Sequence, residues 1–108
     1  MGRLSWTDIG AGDLEDGELR EVVVGDLHLG VTRAGETWHV FEIWCTHAEC
    51  PLTDGWLEGV AVRCACHGAL FDLESGLPLE GPAEEPIRVF SARETGGRIE
   101  AQLLAADA

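Results

Sequence analysis

The stretch that most constrains this chain is Cys45-Thr46-His47, followed after residues 48–63 by Cys64-Ala65-Cys66-His67-Gly68. Each segment offers a thiol and an imidazole, two of the side chains that bind transition metals well. Two thiolates and two imidazoles suit a tetrahedral zinc or an iron–sulfur cluster with mixed ligands. Zinc fingers usually pair their cysteines locally as C-x2-4-C and their histidines as H-x3-5-H. Here a Cys and a His share each segment, as C-x-H and C-x2-H. That is the pattern expected of two loops gripping a two-iron core, both sulfurs on one iron and both nitrogens on the other. An all-cysteine cluster fits less well. Cys45 and Cys50 resemble the start of a plant-type run, but the C-x2-C step that should follow is missing before Cys64.

The remainder reads as all-β. Leu4 to Ile9 alternates weakly and is expected as an edge strand, followed by a Gly/Asp/Glu-rich connector from Gly10 to Gly17. Leu19–Val24 and Leu27–Arg33 flank Gly25-Asp26, a two-residue turn signal. Gly35-Glu36 turns the chain into the alternating run Thr37–Ile43, which delivers it to Cys45. No window has a convincing helical period; the best helical candidate is short, Ala48 to Leu52. Asp54-Gly55 and Glu58-Gly59 read as turns bracketing Trp56-Leu57, with strands at Val60–Arg63 and Ala69–Asp72 beyond. Glu80 to Pro86 is too rich in Gly and Pro for regular structure, and Ile87–Arg93 with Arg98–Leu104 reads as a closing hairpin around Thr95-Gly96-Gly97. Short strands so evenly spaced by turns predict an antiparallel β-sandwich or small barrel, with the metal-binding loops forming a subdomain over about 44–86.

A chain of 108 residues can bury one core, so 1–108 is expected as a single domain. No apolar run is long enough to cross a bilayer, and the first residues lack the pattern of a signal peptide, which predicts a cytoplasmic location. Seven basic against twenty acidic residues give a net charge of −13, which argues against nucleic acid or an anionic membrane and favours a basic protein partner. His28 and His39 sit within strand patterns and read as ordinary strand residues, and Trp44 and Trp56 as packing residues.

The four-donor pattern C-x-H…C-x2-H resembles the Rieske signature, and Gly81-Pro82-Ala83 with Pro86 resembles the proline loop that closes over the cluster in that family. The likeness runs to about Leu104, and more loosely back to about Leu4. The resemblance implies one 2Fe–2S cluster held by Cys45 and Cys64 on one iron and by His47 and His67 on the other. The imidazole-bound iron would take the electron and lie nearest the surface. Replacing two thiolates by neutral imidazoles removes two negative charges and makes the added electron easier to accept. The resemblance also implies a disulfide between Cys50 and Cys66, which match a pair that ties the two loops together in some Rieske proteins.

High-potential relatives place a Ser and a Tyr hydroxyl after the second His, bonded to cluster and cysteine sulfur. Ala69 and Phe71 stand at those positions here, which predicts a potential near the low end of the Rieske range, roughly −150 mV. With four protein donors filling the cluster, no position is left open for substrate at iron. The resemblance is strongest to the ferredoxin components of bacterial aromatic-ring oxygenase systems. It implies a one-electron carrier between a flavin-dependent NAD(P)H reductase and a terminal oxygenase, not an enzyme in its own right. The alternatives are a Rieske small subunit of a larger oxidoreductase, of the nitrite reductase or arsenite oxidase type, and a sensor that uses Cys50 and Cys66 as its switch.

Overall fold

A computed structural model describes residues 3–46 and 50–104. Eleven strands follow in chain order: β1 Leu4–Ala11, β2 Leu19–Val24, β3 Leu27–Ala34, β4 Thr37–Glu42, β5 Trp56–Glu58, β6 Ala61–Arg63, β7 Leu70–Asp72, β8 Pro78–Glu80, β9 Val89–Phe90, β10 Ala92–Thr95 and β11 Arg98–Leu104. They form three antiparallel sheets, ordered β1-β11-β10, β2-β3-β4-β9 and β5-β6-β7-β8. The expected all-β, antiparallel architecture is what the chain adopts, and β1 does lie at a sheet edge, paired only with β11. The third sheet is inserted in sequence between β4 and β9, two neighbours in the second sheet.

Side-chain alternation builds two cores. Along β11, Ile99, Ala101 and Leu103 point inward, and they meet Ile9 of β1, Leu27, Leu29 and Val31 of β3, and Val40 of β4. This cluster fills the sandwich between the first two sheets. The next residue of β4, Phe41, points the other way, into a cluster with Leu52, Val62, Phe71, Leu73, Ala83 and Ile87. The middle sheet thus has a core on each face, and β4 reads as consecutive buried residues, His39-Val40-Phe41.

Phe41 finds room because its cross-strand partner is Gly30, where a β-carbon would overlap the Phe41 ring. Truncating Phe41 to Ala would cost about 3–5 kcal/mol. Turn chemistry follows the sequence: Gly96 and Gly97 both take positive φ, 57° and 80°, in the β10–β11 hairpin.

Four elements depart from the sequence reading. β5 and β8 are strands of three residues each, where Trp56-Leu57 reads as a segment between turns and Glu80 as the start of an irregular loop. Neither is long enough to show alternation; both exist because the β6–β7 hairpin offers each a paired edge. The expected strand Ile87–Arg93 divides at Ser91, with β9 pairing to β4 and β10 to β11, so the chain changes sheets there. The helical candidate Ala48 to Leu52 does not form in its described part: Pro51 is extended and Leu52 opens a 3-10 turn to Asp54. No helix among the described residues is long and apolar enough to cross a membrane.

Candidate metal centre

The two cysteine-bearing loops are built on the same base. In the first, the Cys45 amide donates to the Cys50 carbonyl at 2.8 Å, and Trp44 and Pro51 form an isolated antiparallel bridge beneath it. In the second, the Cys64 amide donates to the Ala69 carbonyl at 2.8 Å, above the β6–β7 pair Arg63 and Leu70. Gly68 closes the second loop in the left-handed region at φ 78°, with its amide donating to the Cys64 carbonyl at 3.0 Å. The bases therefore deliver Cys45 and Cys64 into one apolar cluster, each only 1% exposed.

The candidate donors differ in depth. Cys45 and Cys64 lie inside the shell of Phe41, Leu52, Val62, Ala69, Phe71, Ala83 and Ile87, whereas His67 is exposed at the loop tip. His47 lies outside the described residues, as do Ala48 and Glu49. A disulfide joins Cys50 at the base of the first loop to Cys66 in the second, with Cα atoms 6.4 Å apart. The Cys64 sulfur lies within 4.8 Å of both bridged sulfurs. Ala69 and Phe71 are fully buried beside the two thiols.

A third segment leans over the first loop. Gly81–Pro82 has a cis peptide bond, Ala83 is buried, and the Glu85 carbonyl accepts a 2.7 Å hydrogen bond from the Thr46 hydroxyl. A cleft of about 290 Å³ beside it is lined by Glu42, Trp44, Cys45, Thr46, Glu85 and Arg88, among others. Further on, Gly76 is required by close approach: its φ is 81° and a β-carbon would overlap the Ile87 carbonyl, while the Gly76 carbonyl accepts a hydrogen bond from the Ile87 amide at 2.9 Å.

Arg63 braces the second loop from the outer face of the third sheet. Its guanidinium forms a fork with Glu58 and donates to the Gly68 carbonyl at 2.7 Å. These bonds, with a further one from the Trp56 indole, hold the Glu58 carboxyl down at about 2. Glu58, although exposed, is thus tied as the counter-ion of Arg63.

The remaining candidates fall outside the centre. His28 on β3 bonds Glu21 at 2.9 Å and faces the Trp44 ring at 5.5 Å. His39 on β4 is buried, and burial pushes its pKa below the usual imidazole range. Both are strand residues, as expected. Trp44 and Trp56 are more exposed than packing residues usually are, 40% and 51%. Trp44 rests on His28, and Trp56 is tied to Glu58.

Two buried thiols and an exposed imidazole, on two loops seated over an apolar core, fit a mixed sulfur–nitrogen cluster well. A family model for the Rieske [2Fe-2S] domain matches residues 5–91. This chain belongs to the Rieske family. Among curated Rieske relatives, it is 33% identical over 90 residues to Ferredoxin CarAc of Metapseudomonas resinovorans, covering 82% of this chain and 84% of that one. It is 31% identical over 96 residues to the anthranilate 1,2-dioxygenase ferredoxin subunit of Burkholderia cepacia, covering 88% and 89%. Among solved structures, it superimposes at a TM-score of 0.82 and 31% identity on a chain of the complex of reduced oxygenase and oxidized ferredoxin in carbazole 1,9a-dioxygenase, covering 90% and 92%. A Rieske domain carries one 2Fe–2S cluster, which when bound takes up and returns a single electron. The chain is accordingly an electron-transfer protein and not a catalyst.

Arg63 and Thr46 were not legible as part of this centre. An Arg directly before Cys64 is visible in the sequence, but its partners at Glu58, Glu80 and Gly68 depend on the strand register.

Proposed function

We propose that this Rieske protein is a diffusing, cytoplasmic one-electron carrier of the ferredoxin type, taking electrons from a flavin-dependent NAD(P)H reductase and passing them to a terminal oxygenase. In this reading Cys45 and Cys64 bind one iron and His47 and His67 the other, and the chain forms one domain with a site-bearing insertion. The observation that carries it is the difference in depth: the thiols are 1% exposed and the His67 imidazole is at the surface. The chain's own residues then have separate tasks. The cysteines anchor the group in a low-dielectric shell that excludes water, and His67 presents the other end to a docking partner. The curated relatives matched over most of their length are named as ferredoxins or ferredoxin components, which supports the carrier reading.

Purified protein should contain about two iron and two acid-labile sulfide per chain, with the low average g-value of mixed ligation once reduced. His67→Ala and His47→Ala should lose the cluster, whereas His28→Ala should keep it. A single zinc and no sulfide would sink the assignment.

Ala69 and Phe71 set the potential in this proposal. Both lie beside the thiols and neither has a hydroxyl to donate to sulfur, so the value should be near roughly −150 mV. Ala69→Ser and Phe71→Tyr should each raise it. A wild-type potential well above zero would point away from an oxygenase supply chain.

The net charge of −13 supports docking to a basic partner, with Asp54, Glu84 and Glu85 exposed near the loops. Electron transfer to the partner should slow as salt rises, and charge reversal at Glu85 should hurt more than at Asp26. A rate indifferent to both would leave the charge as a solubility feature.

A further inference from the structure

Arg63 spends every N–H of its guanidinium. Nε and Nη2 donate to the two oxygens of Glu58, both at 2.7 Å; Nη1 donates to the Gly68 carbonyl at 2.7 Å. The second hydrogens of Nη1 and Nη2 reach the two oxygens of Glu80, each at 3.3 Å. Five donors meet five acceptor contacts, which is the full capacity of the group. The side chain is 19% exposed, so this is not a loose surface pair. Bidentate geometry and a shared network are the conditions under which such pairs do contribute.

The arrangement ties three things together. Glu58 belongs to β5 and Glu80 to β8, the two edge strands of the third sheet, and Gly68 directly follows His67. Cross-strand pairing sets the row Trp56, Arg63, Leu70 and Glu80 across that sheet. The Arg63 backbone is also gripped: a β-carbon on Gly55 would overlap its carbonyl. Both ends of the Arg are therefore fixed, and a fixed guanidinium holds the carbonyl beside His67.

We propose that Arg63 is a positioning residue for the electron-transfer site: it clamps the His67-Gly68 segment through the Gly68 carbonyl, with Glu58 and Glu80 orienting its guanidinium. The inference rests on the reading of His67 as a cluster donor. It adds two separable effects. Position comes from the fork and the carbonyl bond; charge comes from one cation held between two carboxylates beside the loop. Lysine would keep the charge but presents a point cation without the planar fork, so it cannot hold Glu58 bidentately and Gly68 together.

Arg63→Lys, Arg63→Met and Glu80→Gln separate these effects. Amide exchange at Gly68 and Ala69, measured with and without cluster, should quicken several-fold in both Arg63 variants and little in Glu80→Gln. Cluster release to a chelator should follow the same order. The reduction potential should stay near wild type in Arg63→Lys, fall in Arg63→Met, where two carboxylates are left facing the loop, and rise in Glu80→Gln. Wild-type exchange and release in Arg63→Lys would overturn the positioning role, whatever the potential does. Should Arg63→Met fail to fold, Arg63→Lys alone decides. Loss of the cluster from His67→Ala tests the donor assignment separately, so failure of one reading is distinguishable from failure of the other.

Discussion

The two cysteine loops start from one plan and are secured by different chemistry. Each is closed at its base by a Cys amide bonded to a carbonyl, Cys45 to Cys50 and Cys64 to Ala69. Above that base the first loop leans on a neutral hydroxyl, Thr46 to the Glu85 carbonyl, and on the covalent tie at Cys50. The second is braced by an ionic fork, Arg63 between Glu58 and Glu80, and by a left-handed glycine. The disulfide belongs to both, since Cys66 lies in the second loop. A shared base puts two thiols at equal depth, and the unlike supports let each loop be stiffened from a different neighbour. The first is held by the proline segment and the second by its own sheet.

The largest effect should come from the feature the loops share. Cys45→Ser and Cys64→Ser should each abolish cluster incorporation, read as absent visible absorbance and absent iron. A variant that keeps its cluster would show the bases not to be equivalent.

Cutting the shared tie comes next. The bridge spans a sequence separation of 16, for which loss of the constraint on the unfolded chain is worth about 3 kcal/mol. The double variant Cys50→Ser with Cys66→Ser should melt correspondingly earlier. Amide exchange should rise more at Thr46 than at Gly68, because only the second loop retains the Arg63 brace. Equal loosening would mean that the brace adds nothing.

Thr46→Ala removes one hydrogen bond, a loss of about 1 kcal/mol. Its effect on exchange should be confined to the first loop and the segment around Glu85. Spread of the change to Gly68 would show the loops to be mechanically coupled.

The smallest effect should fade in acid. The Arg63 and Trp56 bonds lower the Glu58 pKa from 4.5 to about 2. A group with a depressed folded pKa contributes stability above its unfolded value and loses it as pH falls toward the folded one. The melting difference between wild type and Glu58→Gln should therefore be full near neutrality and shrink as pH drops from 4.5 toward about 2. The Thr46 bond to the Glu85 carbonyl joins two groups that do not titrate, so Thr46→Ala should keep a constant difference over the same range.

Much of this protein is decided by local sequence. Alternation over Leu19–Val24, Leu27–Ala34, Thr37–Glu42 and Arg98–Leu104 marks the long strands, because side chains on a strand must divide between two faces. Gly25-Asp26 and Gly96-Gly97 mark hairpins, because the required positive φ excludes most other residues. The Cys and His spacing singles out the candidate donors, because metal chemistry accepts few residue types.

What local sequence cannot decide is which distant groups share space. β5 and β8 are too short to show a period and exist only as partners of β6 and β7. Ser91 gives no local signal that the chain leaves one sheet for another. Phe41 and Gly30 are matched in size only because register sets them opposite each other. Arg63 reaches Glu58, Glu80 and Gly68 only once three strands are aligned. The burial of Cys45 and Cys64 against the exposure of His67 also comes from the shell packed around the loops. Spacing along the chain singles out candidate donors; their depth and support come from what the tertiary structure stacks against them.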